Sequence, residues 1–294
     1  MLSSRRAFTL IIILFAATVF LFGPKCTRRP VTHSPSLVFA TSHEVRSGFI
    51  RRDGKILPVQ YAVVNGRAIF EGDIVLGSAD EMALVRQRVQ NAPEGQIRPE
   101  GFGTTGPGGR WQNNTVPYCI SPGLTNPDRV RAAAAEWNNK TTMHIVDAGG
   151  ICNLLVGPVF AHVNFIQGAD CSSPVGMQGG IQNISLAPGC GVGATIHEIG
   201  HAVGLWHEQS RTDRDQFVTI IFSNILGDQQ HNFNQESGTL LGAYDYGSIM
   251  HYGAFDFAID TTKPTIVTKP PGIPIGQRAG LSAGDIAAVK MLYP

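Results

Sequence analysis

The run His197-Glu198-Ile199-Gly200-His201-Ala202-Val203-Gly204-Leu205-Trp206-His207-Glu208 constrains this chain more than any other stretch. His197 and His201 are four residues apart, so on a helix their rings stand on one face and can grip the same ion. Gly204 follows three residues later, where a left-handed turn ends the helix at little steric cost and brings His207 back toward the same point. Three neutral imidazoles leave a fourth zinc position open to water, which separates a catalytic site from a closed structural one. Glu198 faces the same side of the helix but sits too close in sequence to bind the ion with its neighbours, so it is placed to hold that water. Zinc lowers the pKa of such a water from about 15.7 to about 7; a general base completes the deprotonation and returns the proton to the leaving amine. The residues predict a zinc peptidase with one Zn2+ per chain. A core helix that merely carries three His would need ligand spacing, base and breaker glycine to coincide.

Downstream, Ser248-Ile249-Met250-His251-Tyr252 supplies a Met-containing turn. Alone, a Met in an apolar run is core filler. With the His run it completes the metzincin pattern. Because Glu208 follows the third His and Tyr252 stands two residues after Met250, the sequence resembles the astacin family of zinc endopeptidases. The likeness extends through Trp111 to Tyr118, Gly189-Cys190-Gly191, Gln209 to Asp215, and Gly284 to Tyr293, covering residues 108 to 294. It implies an α+β metzincin fold: a twisted, mostly parallel sheet with long helices in an upper subdomain, above a loop-rich lower one. It implies His197, His201 and His207 as zinc ligands, Glu198 as catalytic base, and Met250 as a structural residue. Tyr252 is implied as a fifth zinc ligand that swings to stabilise the oxyanion; a buried ring with a satisfied hydroxyl is the other reading. Glu208 is expected to bind, directly or through water, the amino terminus freed when a propeptide is removed.

That expectation points upstream. Residues 92 to 109 hold nine Gly or Pro in eighteen positions, an exposed linker where a protease can cut, and family spacing puts the mature start near Gly101 to Gly103. Phe70-Glu71-Gly72-Asp73 matches the element by which astacin propeptides place an Asp in the cleft, so Asp73 is implied as the zinc ligand of a latent form. Between the apolar runs Tyr61 to Phe70 and Ile74 to Leu76, the same pair is also an ordinary turn. The resulting division is 1–30 export signal or signal anchor, 31–107 propeptide and activation linker, 108–294 catalytic domain. Sixteen apolar or small residues from Ala7 to Phe22 follow a basic start, and Ser4-Arg5-Arg6-Ala7-Phe8 resembles a twin-arginine signal. Cleavage of that segment and its retention as a membrane tether both stand open. The expected function is zinc-dependent hydrolysis of peptide bonds in extracellular proteins by a secreted or extracytoplasmic enzyme, made as a zymogen with an aspartate switch. Its partners are an extended peptide or protein substrate and its own propeptide.

A formal net charge of +1 without Lys/Arg clusters argues against nucleic acid as a partner. Five Cys suit an oxidising destination. The resemblance pairs Cys171 with Cys190, closing a loop worth about 3 kcal/mol in the chain-entropy model. The family's other bridge joins a position near Thr142 to the carboxyl terminus, and both halves are absent. Cys119 and Cys152 either pair with each other or remain buried thiols. Periodicity predicts a helix capped by Asn126, the zinc helix over Thr195 to Gly204, and a last helix over Ala283 to Leu292 capped by Ser282. Strands are expected at Val116 to Ile120, Met143 to Val146, Leu154 to Phe160, Val163 to Ile166 and Ile181 to Leu186, the last being the edge that takes substrate. His144, His162, His231 and His251 lack partners at ligand spacing. Met177 replaces an Arg common in the family, and Lys263 and Lys269 are positional candidates for a basic primed pocket.

Overall fold

The computed structural model describes residues 37–91, 109–149, 152 and 161–294. The expected export segment, the cleavage region near Gly101 to Gly103 and the strand Leu154 to Phe160 lie outside those residues.

Residues 109–294 are built on a four-stranded parallel sheet in the order β6–β5–β7–β8, formed by β5 (Thr115–Ile120), β6 (His144–Asp147), β7 (His162–Gln167) and β8 (Ile181–Leu186). Parallel strands need crossovers, and α2 (Asp128–Lys140) provides the one between β5 and β6. Its Val130, Ala133, Ala134 and Trp137 are buried. Trp137 donates its ring N–H to the Ile196 carbonyl of α3 (Val192–Val203) at 3.1 Å, locking the two helices together. The helix cap is Pro127 rather than Asn126, because Asn126 sits at φ +52° and the turn enters the helix one residue later. From Gly204 to Ser282 the chain is mostly 3-10 turns and loop, with one short antiparallel pair, β9 (Val218–Ile220) and β10 (Ile266–Thr268).

β8 ends the sheet order but is not its open edge. Ser172 pairs with Ser185 in an antiparallel bridge, with N···O distances of 3.1 and 2.9 Å, so residues 172–173 form an extra rung outside β8. The Cys171–Cys190 disulfide ties that loop to the chain just beyond β8, a covering that periodicity alone does not show. Cys119 is joined to Cys152, resolving the open choice in favour of a bridge from β5. Where the family's other bridge is missing, Thr142 Oγ1 donates to the Tyr293 carbonyl at 3.4 Å.

The amino-terminal portion folds around its own core. β1 (Val45–Arg52), β2 (Lys55–Val64), β3 (Arg67–Phe70) and β4 (Ile74–Ser78) form an antiparallel meander, followed by α1 (Ala79–Asn91). Ile50, Tyr61, Phe70, Ile74 and Met82 pack together, and Val175 and Trp206 of the carboxyl-terminal portion close one side of this cluster. Ile74 then bridges Ser173 in parallel, so β4 extends the sheet beyond its extra rung. Among the described residues, no helix is long and apolar enough to cross a membrane.

The last helix, α4 (Ala283–Leu292), begins as its sequence predicts: Ser282 Oγ accepts from Asp285 N at 2.9 Å while the Asp285 carboxylate accepts from Ser282 N at 2.9 Å. Replacing this cap with Ala loses one of these bonds and should lower stability by about 1 kcal/mol. Denaturant unfolding of Ser282→Ala with an unchanged midpoint would show that the cap is redundant.

Candidate active site

α3 ends at Gly204, whose φ of +117° lets its N–H bond back to Gly200 and His201 while the chain turns toward His207. The helix also passes unusually near Met250: a Cβ on Gly200 would lie 2.6 Å from its Sδ, so glycine is required where the Met turn underlies the helix. Three rings meet as a result. Each is aimed from behind through Nδ1, by the Ile249 carbonyl for His197 (2.8 Å), the Leu205 carbonyl for His201 (2.9 Å) and the Glu71 carboxylate for His207 (2.6 Å). These contacts place the Nδ1 proton toward its partner and leave each Nε2 lone pair facing the centre.

Asp73 completes the cluster. Ligand atoms of Asp73, His197, His201 and His207 all lie within 4.8 Å of one another, and every one of these residues is buried. The Asp73 Oδ2 stands 3.3 Å from His197 Nε2, while Oδ1 stands 3.6 Å from His201 Nε2 and 3.2 Å from His207 Nε2. Asp73 Oδ1 and His201 Nε2 are buried without a hydrogen-bond partner. Buried groups of this kind call for a cation. Three imidazoles and one carboxylate form a donor set that suits zinc. Burial pushes His197 down to about 3, so it is neutral and able to ligate. Burial also opposes charge on His207, but Asp73 and Glu71 outweigh it and raise that ring to about 9.

Glu198 lies beside the cluster with both carboxylate oxygens buried and unpartnered. Burial, reinforced by the Asp73 charge, pushes it well above the usual carboxylate range. Tyr252 is fully buried, with its ring centroid 4.8 Å from that of His207, and its hydroxyl donates to the Glu71 carbonyl. In this state the hydroxyl is therefore held by the amino-terminal segment. Glu208 Oε1 accepts from Asp245 N at 2.7 Å, and burial raises this carboxyl to about 7. It lines a cavity of ≈ 60 Å³ with Arg52, Arg211 and Glu236.

Two functional neighbours carried no signal in the sequence. Glu71 entered only as the variable position of the Phe70-to-Asp73 element, with no role of its own, yet it orients His207 and accepts from Tyr252. Arg278 contributes a guanidinium whose Nη1 donates to the His251 carbonyl at 3.1 Å and whose charge reaches Asp256, Asp73 and Glu198. The positional candidates lie elsewhere: Lys263 is exposed and pairs with Asp260, and Lys269 donates to the Asp215 carbonyl. His251 is a core imidazole held by the Tyr252 carbonyl and the Tyr244 hydroxyl, at 2.8 and 2.7 Å. Met177 bridges Gly109 in an antiparallel pair.

Two measurements test this centre. Folded protein should carry one zinc per chain by elemental analysis, and chelation should lower its melting temperature in wild type but much less in His201→Ala. Separately, burial, with help from Glu71 and against Arg52 and Arg214, raises Glu236 to about 8. A carboxyl with a raised folded-state pKa releases its proton more readily when unfolded, so stability falls as pH climbs from about 4.5 to about 8. Glu236→Gln should flatten that decline in denaturation curves taken across this window; an equal slope in both proteins refutes the assignment.

The comparisons agree with this geometry. The family model for astacin, a peptidase family, matches residues 103–294. Blastula protease 10 of Paracentrotus lividus is 34% identical over 233 residues, covering 76% of this chain and 38% of that protein. Astacin-like metalloprotease toxin 1 of Loxosceles intermedia is 33% identical, covering 84% of this chain and 88% of that one. Among solved structures, high choriolytic enzyme 1, a hatching enzyme zinc-protease from Oryzias latipes, superposes with a TM-score of 0.56 at 33% identity, over 63% of this chain and 93% of its own. The chain spans 37 to 41% of the length of several curated relatives it matches. It belongs to the astacin family of peptidases.

Proposed function

We propose that the chain is a zinc-dependent endopeptidase of extracellular proteins, made as a zymogen whose amino-terminal portion blocks the site with Asp73. One observation carries the reading: a buried carboxylate from outside the family-matched region faces three converging imidazoles and an unpartnered Glu198. Zinc held by His197, His201 and His207 would polarise the scissile carbonyl and lower the pKa of the attacking water. Glu198, buried beside the ligands with both oxygens unpartnered, accepts the proton of that water and passes it to the leaving amine. Tyr252, once released from the Glu71 carbonyl, donates to the developing oxyanion. Met250 supports α3 from beneath.

In the intact chain Asp73 occupies the place that water needs. Removal of residues before about 101 to 103 takes Asp73, Glu71 and Arg52 away together. Glu208 and its cavity then lose the Arg52 cation and receive the new amino terminus. The two disulfides support an oxidising, secreted or extracytoplasmic destination. The segment 1–30 is proposed as the export signal, with a tether as its uncleaved form.

Protein processed with trypsin, which is then blocked with a serine-protease inhibitor, should cleave casein, and a zinc chelator should abolish this. Glu198→Gln should reduce kcat/KM by about 100-fold or more; full activity in that variant sinks the mechanism. Asp73→Ala should cleave casein before any processing, whereas silence from the unprocessed variant would reduce Asp73 to a turn residue.

A further inference from the structure

Beyond the metal site, the amino-terminal portion also places an arginine side chain against the loop that borders β8. Arg67, at the start of β3, presents its guanidinium to Asp170: Nη2 donates to Oδ2, and Nη1 reaches Oδ1 at 3.4 Å and Ser172 Oγ at 3.0 Å. Ser172 Oγ in turn donates to Asp170 Oδ1 at 2.7 Å. Asp170 is 2% exposed, so its carboxylate depends on these two partners rather than on solvent.

The pocket is rigid. The Asp170 carbonyl accepts from Ala187 N at 3.0 Å and from Ser185 Oγ at 3.1 Å, and the next residue is disulfide-bonded. It also lies on the rim where the blocking segment is laid down. Ser173 N donates to the Asp73 carbonyl at 2.9 Å and Val75 N donates to the Ser173 carbonyl at 3.0 Å, so residues 73–75 add to this rim as an extended strand. Extended peptides bind sheet edges by such bonds, with side-chain pockets supplying selectivity. The blocking segment therefore occupies both the backbone positions of the rim and the anionic pocket of Asp170 beside it.

We propose that Asp170 and Ser172 form a cation-binding subsite of the cleft, filled in the intact chain by Arg67 and, after processing, by an Arg or Lys side chain of the substrate. The inference rests on the zymogen peptidase reading given above. Losing Arg67 strips Asp170 of both guanidinium bonds and leaves its carboxylate with the Ser172 hydroxyl, on a backbone that keeps it aimed at the vacated position. A cationic side chain laid along the same rim restores those bonds. The paired oxygens favour the planar fork of Arg over the point charge of Lys.

The test uses the full chain processed with trypsin, which is then removed and blocked with a serine-protease inhibitor, and a set of quenched-fluorescent peptides. Arg, Lys or norleucine is placed in turn at each position flanking the cleaved bond. At one position, Arg should raise kcat/KM over norleucine by about tenfold or more, with Lys intermediate. In Asp170→Asn that ratio should collapse toward one, and an unchanged ratio overturns the subsite. Should that variant fail to fold, inhibition of the wild-type enzyme decides: N-acetylarginine amide should compete with substrate and N-acetylnorleucine amide should not, while equal inhibition refutes the proposal. Cleavage of casein and peptides with no basic preference overturns the subsite alone. No cleavage at all overturns the peptidase reading and the subsite with it.

Discussion

The convergence of three imidazole Nε2 atoms is the constraint on which the remaining architecture depends. It requires that each ring be held from behind, and the three anchors come from three separate places: the Met turn through Ile249, the helix-terminating loop through Leu205, and the amino-terminal segment through Glu71. The first anchor is itself tied down. Asp285 accepts from Ser248 Oγ at 2.6 Å and from Ile249 N at 2.9 Å, so the same carboxylate that caps α4 also fixes the turn that orients His197. A helix end almost ninety residues away in sequence thereby sets the direction of a metal ligand. Such support is what converts three histidines into a site of definite geometry.

The second organising fact is charge. Glu71, Asp73, Glu198 and Asp256 gather around rings that burial tends to keep neutral, and Arg278 alone among the described guanidinium groups extends its influence over Asp256, Asp73, Glu198 and Tyr252 together. This anionic excess would be unfavourable without a dication, so metal affinity and instability of the empty site have one origin. On the zymogen reading the amino-terminal portion is itself a source of that excess: it contributes Glu71 and Asp73, and it holds the Tyr252 hydroxyl on a backbone carbonyl.

What was legible in the sequence was local. The ligand triad, the base, the Met turn and the Ser282 cap each rest on spacings of a few residues, which helix periodicity and capping chemistry translate directly into geometry. Asp73 was legible only through resemblance, since Gly72-Asp73 by itself reads as a turn, and it is indeed a turn as well. Glu71, Arg278 and the Arg67–Asp170 pair were not legible, because their partners stand 100 or more residues away or sit on loops without a periodic signature. The outer side of β8 was not legible for a related reason. Alternation identifies β8 as a strand but cannot show that a disulfide folds Ser172 and Ser173 over its outer side.

The amino-terminal portion has a hydrophobic core of its own, so on the zymogen reading inhibition comes from a folded unit and not from a single strand of peptide. It is held at well-separated points: Asp73 at the metal site, Arg67 on Asp170, and Asp53, whose Oδ2 accepts from Thr239 N at 2.7 Å. While the chain is continuous, these contacts act at an effective concentration that short linkers set in the millimolar range. Cutting the linker removes none of the contacts; it changes rebinding from intramolecular to bimolecular and frees an amino terminus to compete for the Glu208 cavity that Arg52 lines. On that reading activation is a shift between two cations in one acidic cavity. The direction of that shift follows from tethering, since the new terminus remains covalently attached to the catalytic portion and the departing arginine does not.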